Sequence, residues 1–469
     1  MMSSRFAAVS LMMMILGSNV AISRGRRAPA GCPPADLISP CQCRSFVSAQ
    51  VKCENVYDLE IVRSALSHRF PHGLRTLHIS NSNILVLPDH AFTNISLTRL
   101  LIDGSNIRQI DEDAFAGQED LLFLSLQNDR LFDVPISALS RLTQLRALIL
   151  SDNLLIFLGQ DAFADLDHLI NLVLRNNRIS RIERGVFPRN LDTLSLSGNL
   201  LTTLNRTLIG LSHLSWLFLF DNRLTSLKGE LNGLEKLELL SLSNNQIPDL
   251  EDSLGDLHSL EILDVSYNNL HRVGNSLRSL SSLKKLDLSF NYFTELESDS
   301  FSSLSQLTQL DLSGNQLMTV SLSLNYLGSL HRLNLSANDL TSLEYEDLKG
   351  MSRLRELDLS HNKLKNLDGT FGFQLSELTV LKLQDNQLKR LHRSLKNLRD
   401  LKVLDVRDNQ LTTLHTSQMK HNKQLEILEI GGNPLSCDDD HLHDVLKDLK
   451  TRMVKVTGQP FCYLDENTL

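Results

Sequence analysis

The sequence contains 469 residues with a formal net charge of −8, and 42% of the residues are hydrophobic, 22% charged and 5% aromatic. This composition suits an extracellular scaffold. It gives no indication of nucleic acid as a partner, because nucleic-acid-binding proteins present clustered basic faces.

The chain begins with the pattern of a secretory signal peptide, residues 1–23. Arg5 precedes an apolar run over residues 6–16, and the small residues Ala21 and Ser23 suit cleavage after Ser23. The run is too short to span a bilayer, and no other stretch reaches 18 apolar residues. We therefore expect a secreted, extracellular protein without direct insertion into a membrane.

A basic segment, residues 24–31, would then begin the mature chain. Its run Arg24-Gly25-Arg26-Arg27 fits a proprotein-convertase site, and a solvated terminus explains the same charges. Both interpretations stay open.

All six cysteines are confined to two segments, which we predict to be an N-terminal cap over 32–73 and a C-terminal cap over 436–469. An even number of cysteines in a secreted chain indicates disulfides, and oxidising conditions disfavour the alternative of a zinc site. Four cysteines allow three pairings, which spacing does not settle. The cysteines are Cys32, Cys41, Cys43 and Cys53 in the first segment and Cys437 and Cys462 in the second.

Between residues 74 and 435 one phrase returns sixteen times, at intervals of 22 to 24 residues. It reads Leu, two variable residues, Leu, one variable residue, Leu, two variable residues, Asn, one variable residue, Leu, as from Leu191 to Leu201. Such a period indicates a leucine-rich repeat solenoid, in which each repeat buries its apolar side against its neighbours. We predict an α/β solenoid of about 16 repeats, a horseshoe with one long parallel concave sheet and a disulfide cap at each end.

The asparagine of the phrase is expected to bond backbone groups that the turn leaves inside, because its side chain both donates and accepts. Thirteen repeats keep it, from Asn153 to Asn433, whereas the first three carry Ser82, Ser105 and Asp129. We therefore expect the N-terminal end to be less regular.

In such a solenoid, function depends on the outward positions of the strands and not on the leucines. These positions are apolar up to about the seventh strand, where Trp216, Phe218 and Phe220 alternate and should stand exposed on one side. Exposed aromatic clusters anchor protein interfaces, so we predict the partner site here; cover by a cap, a loop or self-association is the alternative. The predicted partner-binding residues are Trp216, Phe218, Phe220, Val173, Ile149, Phe123 and Leu239.

Beyond these strands the outward positions form an acidic column, Asp264, Asp287, Asp311, Asp358 and Asp405. A binding role would favour a basic partner through long-range attraction that salt weakens. The alternative is that each aspartate bonds the serine that follows it in the phrase Leu-Asp-Leu-Ser.

Three sequons mark predicted glycosylation sites. Asn94 and Asn205 fall on the convex return segments, where a glycan is harmless, whereas Asn334 lies on a strand and would carry a glycan on the concave face. An unused sequon is the alternative at Asn334, because Asn-Leu-Ser is part of the repeat phrase.

No enzymatic motif is present, so we predict a non-enzymatic protein without catalytic residues, cofactor or metal. The densest polar cluster, residues 438–444, could hold a divalent cation. We expect its aspartates instead to cap a helix implied by Val445, Leu446 and Leu449.

The repeats and both caps resemble extracellular leucine-rich repeat proteins of the slit-like, acid-labile-subunit-like and toll-ectodomain class. By that resemblance Cys32 pairs with Cys43 and Cys41 with Cys53. The second cap departs from the family pattern, because Asp439 stands where a second cysteine is usual and only Cys437 and Cys462 remain.

The N-terminal third, with Cys32-Pro33, a helix-like stretch over 58–70 and Val86-Leu87-Pro88, is similar to arthropod proteins named after the non-catalytic subunit of decapod luciferin monooxygenase. We expect a secreted scaffold that binds an extracellular protein. The alternatives are an innate-immune protein that binds microbial glycans, a non-catalytic subunit of a secreted enzyme complex, and an adhesion or matrix protein. The sequence leaves the oligomeric state open.

Overall fold

The computed structural model describes residues 32–45, 49–67, 70, 74–320, 322–367, 372–391, 393–436 and 438–458. The predicted signal peptide, the basic segment, Cys437 and Cys462 lie outside these residues.

A 19-stranded sheet runs the length of the solenoid. Sixteen of its strands are the repeat strands, and each pairs in parallel with the next, as Leu194, Leu217 and Leu240 do in register. A two-stranded antiparallel unit precedes them, and one parallel strand follows them. The predicted leucine-rich repeat solenoid of about 16 repeats is therefore confirmed.

The strands, in chain order, are β1 (Cys41–Ser45), β2 (Ala49–Glu54), β3 (Thr76–Ser80), β4 (Val86–Leu87), β5 (Arg99–Asp103), β6 (Gln109–Ile110), β7 (Phe123–Gln127), β8 (Ala147–Ile149), β9 (Phe157–Leu158), β10 (Asn171–Val173), β11 (Arg181–Ile182), β12 (Thr193–Ser195), β13 (Trp216–Phe218), β14 (Leu239–Ser241), β15 (Ile262–Asp264), β16 (Lys285–Asp287), β17 (Gln309–Asp311), β18 (Arg332–Asn334), β19 (Glu356–Asp358), β20 (Val380–Lys382), β21 (Val403–Asp405), β22 (Ile427–Glu429) and β23 (Lys455–Thr457). The pairs β4–β6 and β9–β11 form two small parallel sheets on the return side. The α-helices are α1 (Leu59–Leu66), α2 (Ile136–Leu139), α3 (Thr416–Met419) and α4 (Asp440–Thr451), with 3₁₀ turns at Ala35–Leu37, Tyr345–Leu348 and Arg393–Asn397.

The leucines of the phrase form one continuous core along the array. Strand alternation turns the middle leucine of each strand inward, and Leu194, Leu217 and Leu240 are fully buried. On the return side Phe92 and Phe115 stack with ring centroids 6.2 Å apart. Each buried leucine contributes about 2 kcal/mol of hydrophobic free energy, and the neighbouring repeats provide the cover.

The asparagines form a ladder that links each repeat to the one before it. Asn222 accepts from the Leu201 N–H at 3.1 Å, and its Nδ2 donates to the carbonyls of Leu196 and Leu219, both at 3.0 Å. The other ladder asparagines, from Asn153 to Asn433, each accept a hydrogen bond in the same way from a backbone N–H of the preceding repeat. The predicted role of this residue as donor and acceptor is thus observed.

The residue before the ladder position has a positive φ in all sixteen repeats. Only glycine, and to a lesser degree asparagine and aspartate, adopts this conformation at little cost. Most repeats use one of these three, as at Asn176, Gly198 and Asp221. Tyr267 and Phe290 are the bulky exceptions.

The first three repeats replace the ladder asparagine, and Asp129 does so incompletely. Its Oδ1 accepts from the N–H groups of Ser105 and Ile107 at 2.9 and 3.0 Å. Its Oδ2 is buried without a partner in the described structure, whereas Asn153 places an amide there that donates to two leucine carbonyls. Burial raises the pKa of Asp129 to about 6.

The caps cover both ends of the core. Disulfides join Cys32 to Cys43 and Cys41 to Cys53, the pairing that the resemblance implied. Helix α1 begins after Asp58, which accepts from the Glu60 N–H, and it ends at Leu66, short of the predicted residue 70. No helix among the described residues is long and apolar enough to cross a membrane.

At the other end Asp439 caps helix α4 by accepting from the His441 N–H at 3.0 Å. Leu442, Val445 and Leu449 of the helix are buried against the last repeats. The aspartates near residue 439 therefore begin a helix, as predicted.

Replacing Asp129 with asparagine should stabilise the protein by about 1–2 kcal/mol at pH 8, because the new amide supplies the missing donor. The folded-state pKa of Asp129 lies above its ordinary value, so the wild type loses stability as the pH rises towards 6. The gain should therefore be smaller at pH 5. Chemical denaturation at the two pH values measures both, and an equal gain at both would contradict this account.

Candidate functional site on the concave face

Two side chains of each repeat strand project from the concave face, the side of the sheet away from the leucine core. Trp216 and Phe218 do so on β13, where Leu217 between them points into the core. Parallel pairing aligns Trp216 with Leu239 and Ile262 on the next two strands. Like positions on successive strands therefore form columns, and neighbouring residues within a column lie about 4.8 Å apart.

An aromatic cluster, which consists of Phe218, Phe220, Leu239, Trp216 and Ile262, occupies the concave side of β13 to β15. The exposed fractions of Phe218, Phe220 and Leu239 are only 1%, 6% and 5%. The prediction that Trp216, Phe218 and Phe220 all stand exposed is therefore wrong for Phe218 and Phe220. Neighbouring strands are so close that large side chains cover one another. Among the five residues of the cluster, only Trp216 and Ile262 are half-buried and not fully buried.

The other predicted partner residues lie on earlier strands, apart from this cluster. Phe123 and Val173 are buried as well, and Ile149 is half-buried. The Arg99 guanidinium lies 4.1 Å from the centroid of the Phe123 ring. Ile262, which the predicted site omits, is the member that carries the cluster to the next strand.

Four of the five aspartates of the acidic column bond the serine two residues on, and Asp405 bonds Arg407 instead. Oδ1 of Asp287 accepts from the Ser289 hydroxyl at 2.5 Å and from its N–H at 3.0 Å. Asp264, Asp311 and Asp358 make the same pair of bonds with the serine two residues on. The alternative interpretation of the phrase Leu-Asp-Leu-Ser is thus observed.

Basic side chains pair with the column at its C-terminal end. Lys382 lies 3.0 Å from Asp358, and Arg407 lies 2.6 Å from Asp405. Asp264, Asp287 and Asp311 instead align directly on three neighbouring strands, and within the described chain Asp287 and Asp311 form no ion pair. We call these three the carboxylate row.

The pKa of Asp287, the middle residue of the row, is raised. Burial, and then the charges of Asp264 and Asp311, raises the pKa of Asp287 to about 7. Lys285 projects from the same strand two residues earlier and is exposed. A groove of about 320 Å³ passes from Ile262 over the row.

An aromatic stack stands at the turns that follow β15 and β16. The rings of Tyr267 and Phe290 are nearly parallel, with centroids 4.4 Å apart. A side chain at Gly314 would collide with the Phe290 ring, because a Cβ placed there would lie 2.6 Å from Cδ1. The residue pattern did not signal this stack, which depends on the positive φ of both residues.

The predicted glycosylation sites differ in their surroundings. Asn94 and Asn205 are exposed on the return side. Asn334 is half-buried in the acidic column, where its Nδ2 donates to Asp311 Oδ2 at 3.0 Å and its Oδ1 accepts from the Ser336 N–H.

Phe218→Ala should lower the free energy of unfolding by about 2–4 kcal/mol, because it opens a cavity in a closed cluster. Trp216→Ala should cost about 1 kcal/mol, because the indole is only half-buried. The exposed Phe132 supplies a matched control whose replacement with alanine should cost less than either. Urea denaturation of the three variants tests the order; equal losses for Phe218 and Phe132 would contradict the observed packing.

Asp287→Asn should stabilise the protein at pH 8 by roughly 1–2 kcal/mol, because it removes a buried charge that Asp264 and Asp311 repel, and one pKa unit corresponds to about 1.4 kcal/mol. The folded-state pKa is raised, so the destabilising charge of the wild type is absent near pH 4 and appears as the pH rises through 7. Melting curves from pH 4 to 8 measure this. A gain that is independent of pH would argue against repulsion within the row.

Comparisons with known proteins agree with this architecture. The family model described as leucine rich repeat matches well over half of the chain, at residues 72–131, 167–224, 221–270, 273–317, 328–388, 352–402 and 376–435.

Podocan of Mus musculus is 35% identical over 132 residues, which are 27% of this chain and 21% of Podocan, so the match spans about a fifth of that relative. Among solved structures, a leucine-rich repeat protein of Leptospira interrogans has a TM-score of 0.66 at 23% identity and covers 84% of this chain and 90% of its own. The Drosophila Toll–Spatzle complex gives a TM-score of 0.71 at 20% identity, with coverages of 86% and 67%. At these identities the two structures show the fold alone.

Proposed function

The chain belongs to the leucine-rich repeat family, and from this premise we propose that it is a secreted, non-enzymatic scaffold that binds an extracellular protein on its concave face. The observation that carries the proposal is the aromatic cluster of Trp216, Phe218, Phe220, Leu239 and Ile262. It is a second apolar core, built on the side of the sheet that the leucine core does not use.

The cluster has the features of an interface anchor. Phe218 and Phe220 beneath hold Trp216 in place, and the half-buried indole has apolar surface left for a partner. Tryptophan in a rigid apolar surround is common among the residues that dominate protein binding energies. A flat sheet face that presents one such anchor favours a protein surface over a small molecule.

The secreted location rests on two features. The first 23 residues have the signal-peptide pattern, and the two disulfides of the N-terminal cap belong to an oxidising compartment. Toll, a protein of the same fold, is known in complex with the protein Spatzle, which supports a protein as the class of partner.

Trp216→Ala should abolish capture of a protein partner from the extracellular fluid of the source organism and cost little stability. Tyr326→Ala, which removes an exposed aromatic ring from a return segment, is the matched control and should capture normally. Crosslinks from the partner should fall on the concave Lys285 or Lys382 and not on Lys228 of a return segment.

The same capture separates the remaining functions. A stoichiometric enzyme in the captured material would indicate a non-catalytic subunit, and retention on glycan beads without a protein partner would indicate glycan recognition. Normal capture by the Trp216 variant, with crosslinks outside the concave face, would reject the proposed site.

A further inference from the structure

The concave face changes from apolar to acidic within a single strand. Ile262 of β15 packs on the aromatic cluster, and Asp264, two residues later on the same strand, begins the carboxylate row. One groove of about 320 Å³ is lined by both residues, by Asp287 and Asp311, and by the basic side chains of Lys285, Arg332 and Lys382. Arg332 pairs with Glu356 and Lys382 with Asp358, so a ligand at the Ile262 end of the groove would contact apolar and anionic surface at once.

The acidic column itself shows how a cation can sit beside one of its aspartates. Lys382 occupies the same column as the aspartates, next to Asp358, and its ammonium group lies 3.0 Å from Asp358 Oδ2. A cation therefore fits between side chains at this strand spacing. Asp287 and Asp311 have hydroxyl, amide and backbone N–H partners but no ion pair in the described chain, and they stand beside like charges.

Aromatic residues precede the row in the array and follow two of its members in sequence. Trp216 and Ile262 lie towards the N-terminal repeats, and the stacked Tyr267 and Phe290 follow Asp264 and Asp287 by three residues. Aromatic rings beside carboxylates attract a guanidinium or ammonium group more than a neutral one.

We propose that this groove binds a segment of a protein partner that places an arginine or lysine side chain over Asp264, Asp287 and Asp311 and an apolar side chain against Trp216 and Ile262. The proposal rests on the proposed function and names the chemistry of its partner. Trp216 and Asp287 lie three strands apart, which is about 14 Å at 4.8 Å per strand. An extended chain covers that distance in about four residues, so the apolar and basic residues should stand four apart.

Synthetic peptides test this arrangement directly on the intact secreted chain. The probe is a glycine- and serine-based peptide with one leucine and one arginine four residues apart, displayed in four copies on streptavidin so that weak contacts add up. Surface plasmon resonance should show binding at least tenfold tighter than that of matched peptides with glutamate for arginine or serine for leucine. Raising the salt from 50 to 500 mM should weaken binding several-fold.

The variant Asp287→Asn/Asp311→Asn should weaken binding of the probe at least tenfold. It should fold normally, because Asn334 in the same column makes the corresponding bond to the Ser336 N–H. Asp165→Asn/Asp167→Asn, which removes the same charge from an exposed return segment, should bind like the wild type.

Three results would overturn the proposal: no binding of the probe to the wild type, equal binding of the glutamate peptide, or equal losses in the two double variants. The proposed function is tested separately. If Trp216→Ala abolishes capture of the natural partner while the Asp287 and Asp311 substitutions leave it unchanged, the partner site stands and only the basic segment is rejected.

Discussion

The whole solenoid depends on satisfying the backbone groups that each turn carries into its interior. A buried N–H or carbonyl without a partner costs about 1–3 kcal/mol, and sixteen inward turns would multiply that cost. In thirteen of the repeats one asparagine removes it, as Asn222 does by joining its own turn to the preceding repeat. The leucines can be buried in a continuous core only because this ladder holds the turns together. Asp129, which leaves one buried oxygen without a partner in the described structure, marks where the ladder is incomplete.

Because the interior is nearly the same in every repeat, the repeats differ from one another mainly in the side chains of the concave face. There the same strand spacing has different consequences for apolar and for acidic side chains. Large apolar side chains at that spacing cover each other and become a second core around Phe218. Carboxylates at the same spacing are buried and repel one another, so that the pKa of Asp287 rises to about 7. One geometric constraint therefore accounts for both the apolar and the acidic character of the candidate site.

The aspartates in the acidic half of the concave face differ in their partners. Asp358 and Asp405 have basic partners within the array, while the carboxylate row beside the aromatic cluster is held by serine hydroxyls and backbone N–H groups. Carboxylates next to a rigid apolar anchor favour a partner that carries both a basic and an apolar side chain. This juxtaposition lies at β15, where the two surfaces share a strand.

By itself the sequence determined the solenoid, the number of repeats, the role of the asparagines and the capping of the last helix, because each follows from a period or from bonds between near neighbours. The bond from Asp287 to Ser289 could also be anticipated, since the two residues are close in the chain. Tertiary structure alone decided that Phe218 and Phe220 are buried and that Asp264, Asp287 and Asp311 stand side by side, with the pKa of Asp287 raised. Those properties arise between side chains about 23 residues apart in sequence, and only the register of neighbouring strands brings them within contact.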